Sequence, residues 1–397
     1  MMTKNRQLEL QKFMSAHPDD WEKLLQVKPY CFTISHDVMS GHKLVMLKYN
    51  QIDTDWNAGQ ITHEARGIIF DEDTHDVVSY AFDKFFNAGE VHAAKLDAAS
   101  IVTSDKIDGS IIKIVRFGDD LLISTNGTID AFNAPVAEQI GCPYKSFGDI
   151  VKSVLDKKSE KLGFKREMFK EGYTYVFELV SPWTRVVTPY HDDNLYLIGC
   201  RNNKTFQEVF FWNVSIAKFF DTPKVHSFKS IGECLKNASS LDWTDEGYVI
   251  MDKSFNRVKC KNSSWLAVHH LCSNYVMSHA RAIDIVRTNE IDEVVEYFPE
   301  FADALQDVKT RFFNAVSRAK ADVDAMNAFI RENSWANEEV MSAGCHRKDI
   351  ALWVQKNFKW PCLAFAMLDK RVQDVEKFFI DIPASNLMKM LGFKDFN

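Results

Sequence analysis

The hydrophobic period changes once along the chain, and no other feature constrains the fold as much. From Phe301 onward, Leu305, Val308, Phe312, Ala315, Ala319, Val323, Met326 and Ile330 recur at steps of three and four. That spacing marks one face of a helix, and it predicts an amphipathic helix of about 30 residues starting after Pro299. Trp353, Phe358, Leu363, Phe365 and Met367 fall in further helical pieces. Upstream the period is that of strands. Ile111–Phe117 and Leu121–Ser124 flank Gly118-Asp119-Asp120, which predicts a hairpin. Tyr248–Met251 and Arg257–Lys261 flank a Lys253–Asn256 turn, a second hairpin. Tyr173, Tyr175, Phe177 and Leu179 alternate as a half-buried strand would. Lys43–Lys48 and Gly67–Phe70 are strand-like too, and a helical insert is expected over about 146–170. No Gly/Ser-rich linker marks the change of period, so periodicity alone divides the chain into 1–264 and 265–397.

With 397 residues, 46% of them hydrophobic, the chain can bury a large core. Its apolar runs are only a few residues long, whereas a membrane span needs about 20. The start, Met1-Met2-Thr3-Lys4-Asn5-Arg6, has no apolar signal core. A cytoplasmic protein with no membrane partner is expected. Lys and Arg number 48 against 55 Asp and Glu, a net charge of −7. That excludes a histone-like basic coat and leaves a local basic groove open. None of the eight cysteines has C-x-x-C spacing, so reduced thiols are expected. His269, His270 and Cys272 with Cys345 and His346 offer zinc-ligand types without a second close pair, and no zinc site is expected.

Five short segments carry chemistry when read together. Lys106-Ile107-Asp108-Gly109-Ser110 precedes a strand. A lysine there becomes a nucleophile when neighbouring cations and desolvation take its proton. Glu64-Ala65-Arg66-Gly67 leads into Ile68-Ile69-Phe70, and Lys84-Phe85-Phe86-Asn87 follows. Glu178 ends an aromatic strand, with Ser181-Pro182-Trp183-Thr184-Arg185 behind it. Glu246-Gly247 opens the second hairpin, and Lys259 and Lys261, two apart on one strand, point to the same face. Two ammoniums on one face persist best where an anion or water screens them; polyphosphate is a natural anion for such a pair, and a solvated lysine face is equally open.

This set resembles the nucleotidyltransferase motifs of ATP-dependent polynucleotide ligases and RNA-capping enzymes: a lysine in K-x-D-G, a glutamate after an aromatic, an E-G pair and a closing K-x-K, in that order. K-x-D-G-S, A-R-G-I-I-F, K-F-F-N, S-P-x-x-R-[IV]-V and E-G-Y-V together resemble the phage-type RNA ligases of family 1, the T-even group. The likeness covers about residues 40–265. It implies an α+β adenylyltransferase domain, with two antiparallel sheets flanked by helices and ATP in the cleft between them, followed by an all-α C-terminal domain that contributes to RNA choice.

The resemblance also implies roles. Lys106 would attack the α-phosphorus of ATP, AMP would pass to an RNA 5′-phosphate, and a 3′-hydroxyl would then seal the strand. Lys259 and Lys261 would neutralise phosphate and help hold Lys106 unprotonated. Glu178 and Glu246 would orient hydrated Mg²⁺ or the ribose hydroxyls. Arg66 and Lys84 would contact ribose or phosphate, and Phe86 would pack on adenine. Tyr49, Asp105 and Gly109 complete the expected ATP site. Asn126 stands where the family often has lysine, keeping a hydrogen bond and losing a charge. The implied partners are RNA ends, including those of nicked tRNA, with a monomeric enzyme in the host cytoplasm of a phage. Lys157, Lys158, Lys161, Lys165, Arg166 and Lys170 make the helical insert basic, while Asp156, Glu160, Glu167 and Glu171 dilute it. A solvated face and an RNA contact are equally open there. A DNA ligase or capping-type transferase, and a non-catalytic RNA- or nucleotide-binding protein, are the alternatives.

Overall fold

The computed structural model describes residues 7–51, 53–266, 278–288, 291–333, 335, 346–372 and 374–393. The chain divides into two compact units, Met1–Val276 and Met277–Asn397. Among the described residues, no helix is long and apolar enough to cross a membrane.

Among the described residues, the first unit holds three antiparallel sheets rather than the expected two. The first runs β1 (Thr33–Met39), β2 (His42–Lys48), β3 (Arg66–Asp71) and β4 (Val77–Ser79) in that order. The remaining strands are β5 (Val102–Asp105), β6 (Ser110–Phe117), β7 (Asp120–Thr125), β8 (Tyr173–Val180), β9 (Asn194–Asn202), β10 (Glu208–Val209), β11 (Val225–His226), β12 (Gly247–Met251) and β13 (Arg257–Lys261). The second sheet has the order β10-β9-β8-β6-β7, and the third β11-β5-β12-β13. Both expected hairpins form: Phe117 pairs with Asp120, and Met251 with Arg257. The segment joining β5 to β6, residues 106–109, passes from the third sheet to the second, so the motif lysine lies where two sheets meet.

The helical insert condenses to Phe147–Leu162. Ser146 caps it by accepting the Asp149 N–H while the Asp149 side chain accepts from Ser146, and Gly163 ends it in the left-handed region. Its buried face, Ile150, Val151, Val154 and Leu155, packs under the second sheet with Phe164, Phe169, Tyr175 and Phe177. Each such side chain contributes about 1.5–3 kcal/mol by burial.

β8 departs from the half-buried expectation: seven of its eight residues are buried. It is the middle of five strands. Tyr175, Phe177 and Leu179 meet the insert's core, while Val176 on the other face packs with Ala81 and Phe82. Alternation identified the strand, but the polar face of the pattern is covered as well, and Glu178 lies on it.

At the N-terminus, Leu10 and Met14 of the helix Glu9–Ala16 are fully buried. Glu64 accepts the N–H groups of Glu9 and Leu10 at 3.2 and 2.9 Å, capping this helix from outside. Burial nonetheless pushes its carboxyl up to about 7. In the second unit the long helix spans Ala302–Glu332, and its buried stripe is the one read from the sequence.

Candidate active site

Strand register assembles the site. In the third sheet Asp105 pairs with Tyr248, and the Lys106 N–H donates to the Gly247 carbonyl at 2.8 Å. Gly247 pairs with Lys261, and Val249 with Lys259. One sheet therefore gathers Lys106 with Glu246, Lys259 and Lys261, which lie about 140–155 residues further along the chain. The second sheet supplies Glu178, paired with Ile111 across the β6–β8 ladder. The first supplies Arg66 at the start of β3. Two glycines make these approaches possible. A Cβ on Gly109 would lie 2.3 Å from the Leu179 carbonyl oxygen, and one on Gly247 (φ +128°) 2.1 Å from that of Cys260.

A cavity of about 280 Å³ opens between the sheets. Arg66, Lys106, Glu178 and Lys259 bring charge to it, while Phe85, Ile111, Ile198 and Val249 line it with apolar surface. An apolar slot with a few convergent charged groups suits a heterocycle carrying phosphates.

Lys106 Nζ donates to Glu246 Oε2 at 2.6 Å, and Lys261 Nζ lies 3.4 Å from Glu246 Oε1. Burial alone would lower the Lys106 pKa, but Glu246 and then Glu178 outweigh it and raise it. The carboxylate between the lysines thus opposes the effect expected of Lys259 and Lys261 on this amine. Lys259 goes the other way: burial, then Arg66 and Lys106, push it down to about 7. Burial also lowers Lys261, with Glu246 opposing. Glu178, buried, is raised to about 8, with Lys106 pulling back and Glu246 and Asp108 adding repulsion. A buried carboxyl of that kind beside a second carboxylate suits a site that awaits positive charge. The two glutamates fit a hydrated Mg²⁺ ion, which keeps several waters and needs few direct ligands. Among the described residues, no group of three or more His, Cys, Asp or Glu is placed to hold a metal directly.

The K-F-F-N segment is the main correction. Phe85, not Phe86, lines the cavity. Arg66 sits over the Phe85 ring at 5.0 Å and Lys259 at 5.1 Å. Phe86 turns away, 8% exposed, against Trp56 and His63. The Lys259 N–H donates to the Phe86 carbonyl at 3.0 Å, pinning the segment to β13 and setting which ring faces inward. Lys84 is not at the cavity either. Its ammonium rests over Tyr49, Trp56 and Phe86 at 5.0, 5.1 and 5.4 Å, and burial takes it down to about 8. Tyr49, Lys84 and Phe86 thus form one cluster, and Lys84 and Phe86 line an adjoining larger groove of about 900 Å³. Asp105 lines the cavity and contacts His226 Nε2 at 2.6 Å.

Asp108 and Arg257 have roles that the sequence did not show, whereas Asn126 was named there for its missing charge. Asp108 is a clamp: its Oδ2 accepts the Val187 and Thr188 N–H groups at 2.9 and 2.7 Å. That gives the S-P-x-x-R-V segment its structural sense, since Arg185 Nε also donates to the Val187 carbonyl at 2.7 Å. Arg257 lines the cavity and pairs with Glu208, which Arg201 also pairs. Asn126 lines the cavity with its Oδ1 buried and unpartnered among the described residues. On the helical insert, Lys157, Lys158 and Arg166 stand within 4 Å of Asp193, Asp221 and Asp156, which favours the solvated-face reading. His269, His270, Cys272 and Cys345 lie outside the described residues, and His346 stacks on Trp335.

Lys113 is the least expected. It is fully buried, on the same face of β6 as Ile111, and its Nζ donates to the Gly67 carbonyl. Burial, with repulsion from Arg66, takes its pKa from 10.5 to about 7. The signal was a charge set among the apolar residues of Ile111–Val115. Between those two values the unfolded chain binds a proton that the folded chain does not, so folding stability rises with pH there. Relative to Lys113→Met, the wild-type chain should gain stability on going from about pH 7 to pH 9, at up to about 1.4 kcal/mol per pH unit. Urea unfolding of both proteins across that range checks it, and parallel curves would contradict it.

The chain matches the RNA ligase family over residues 64–266. It is 27% identical over 382 residues to a putative bifunctional polynucleotide kinase/RNA ligase of Autographa californica nuclear polyhedrosis virus, covering 92% of this chain and 51% of that one. It is 28% identical over 176 residues to a putative RNA ligase of Thermovibrio ammonificans, covering 42% of this chain and 41% of the relative. The chain thus spans about half the length, or less, of these curated relatives. Among solved structures, an archaeal ATP-dependent RNA ligase aligns with a TM-score of 0.43 at 12% identity, covering 76% of this chain and 74% of the other. The family match spans just over half of the chain and contains every charged residue of the cavity, and on that ground this chain belongs to the RNA ligase family.

Proposed function

We propose that the chain is an ATP-dependent RNA ligase that joins an RNA 5′-phosphate to a 3′-hydroxyl, acting in the cytoplasm in RNA or tRNA repair. The observation that carries this reading is the Lys106 amine, held 2.6 Å from Glu246 beside a cavity walled by Phe85, Arg66, Glu178 and Lys259. The Lys106 nitrogen forms a bond to the α-phosphorus of ATP as the bond to the β-phosphate oxygen breaks and pyrophosphate leaves. The amine's proton has Glu246 within reach. AMP then passes to the RNA 5′-phosphate, freeing Lys106, and attack by the 3′-hydroxyl on that activated phosphate releases AMP. Alignment and charge neutralisation supply most of the rate in such transfers. Arg66 provides positive charge, Lys259 adds to it when protonated beside the phosphates, and Phe85 gives a flat apolar wall for the base. Glu178 and Glu246 would hold Mg²⁺ through water, adding charge neutralisation at the phosphates.

The test sets 5′-phosphorylated single-stranded RNA, nicked DNA and diphosphate-ended RNA side by side, with ATP or GTP. Sealing of RNA with ATP supports the reading. Sealing of nicked DNA alone, or transfer of GMP to diphosphate ends, overturns it.

Glu246 holds Lys106 in its ammonium form, whereas attack needs the free amine. In Glu246→Gln that hold is lost and the cations around Lys106 lower its pKa. The pH profile of adenylation should therefore move to lower pH, by about 1–3 units. A profile left in place would show that another group sets the protonation of Lys106.

A further inference from the structure

Lys113 is a buried basic group that the chemistry above does not use. It sits within β6 with no exposed surface, and its Nζ donates to the Gly67 carbonyl of β3. A buried amine or ammonium is costly unless it is bonded, and an apolar side chain fills such a place without that cost. The partner it keeps shows what it does.

Gly67 is the extra residue of a β-bulge. Leu47 of β2 pairs with Ile68 and Lys48 with Arg66, so Gly67 faces no partner of its own. It takes φ +72°, and a Cβ there would lie 2.6 Å from the Asn126 carbonyl oxygen. The bulge decides where Arg66 points. Ile68 and Phe70 share the face of β3 that packs with Leu10 and Met14, while Ile69 on the other face meets Val115 and Leu122 of the second sheet. Strict alternation would put Arg66 with Ile68 and Phe70, away from the second sheet. Arg66 instead lines the nucleotide cavity, over the Phe85 ring, which packs with Ile111 and Ile198 of the second sheet. One inserted residue has re-aimed the guanidinium.

Lys113 holds that insertion in place. Ile111, Lys113 and Val115 share one face of β6. Ile111 packs in the cluster with Phe85, and Val115 in the one with Ile69, so Lys113 stands between the two where the sheets meet. Its bond ties the bulge of the first sheet to β6, the strand that directly follows Lys106–Gly109. A single side chain thus fixes the strand that carries Arg66 against the strand that follows the nucleophile.

We propose that Lys113 is a positioning residue for adenylation: by holding the Gly67 bulge, it keeps the Arg66 guanidinium turned into the nucleotide cavity. This rests on the ligase reading, in which Arg66 meets the phosphates of ATP.

The experiment is a double-mutant cycle on the full chain, read by calorimetric titration with α,β-methylene-ATP and Mg²⁺, a probe that adenylation cannot consume. Arg66→Ala should weaken binding by about 10- to 100-fold, and Lys113→Met, which keeps the volume and removes the donor, by about 5- to 30-fold. In the Arg66→Ala background Lys113→Met should change the affinity by less than about twofold, because the group it positions is already gone. Gly67→Ala disturbs the bulge from its other side and should show the same dependence on Arg66. Thermal melts establish that each variant is folded. Unchanged affinity in Lys113→Met would overturn the proposal. So would equal weakening by Lys113→Met or Gly67→Ala with and without Arg66, the result of a merely structural role. A wild-type chain that binds the analogue but forms no adduct with ATP would count against the ligase reading, and the cycle of affinities would still decide Lys113. A wild-type chain that does not bind the analogue would overturn both.

Discussion

Lys106→Ala should form no covalent adenylate at all. Incubated with α-labelled ATP and Mg²⁺, without RNA, the wild-type chain should carry an acid-labile label through a denaturing gel, and the variant none. Among the described residues, the lysines nearest to it have other partners: Lys259, which also lines the cavity, sits over the Phe85 ring. Lys259 and Lys261 lie on β13, with Lys261 on the far oxygen of Glu246, and Lys113 is sealed beneath the cavity on the Gly67 carbonyl. Alanine also removes one cation from beside Lys259, whose pKa should rise, so ATP should still bind. Loss of label with ATP binding retained isolates the bond-forming step. A label undiminished in Lys106→Ala would mean that the nucleophile lies elsewhere, and the functional reading would fail with it.

Much of this site was legible because its parts are local. A lysine before a glycine and a strand, an E-G pair opening a hairpin and two lysines two apart each declare their geometry within a few residues. The β12–β13 ladder then joins the last two, and the β5–β12 ladder brings in the first. What could not be read is what long-range contact decides. K-F-F-N has two adjacent rings, and nothing local says which faces the cavity; the bond from the Lys259 N–H to the Phe86 carbonyl, far along the chain, turns Phe85 inward. Nor does a strand pattern show whether its second face is covered, so Glu178 was placed correctly at a strand's end but its burial was not foreseen. Lys113 was visible only as an anomaly in an apolar strand. The sequence reading weighed the lysines around Lys106 without Glu246, the carboxylate that lies between them and raises its pKa.

Gly109→Ala should cut adenylation about 100-fold without unfolding the protein. The added methyl would stand 2.3 Å from the Leu179 carbonyl oxygen and 3.1 Å from Glu178 Cγ. The first neighbour is backbone in β8, the buried middle strand of its sheet, so the turn must yield rather than the strand. That turn carries Lys106 at one end and Asp108 just before the glycine, and Asp108 is tied to the Val187 and Thr188 N–H groups. Displacing it moves the nucleophile away from the phosphate position and pushes Glu178 aside at once. Misplacement of reacting groups by about 1 Å typically costs about 100-fold. The overall fold should survive, because Gly109 lies outside the hydrophobic clusters that hold the sheets together. Single-turnover labelling with ATP, set beside thermal melts of both proteins, separates the two effects. Wild-type labelling in Gly109→Ala would mean that the close approach of residues 106–109 to β8 is not what aligns Lys106.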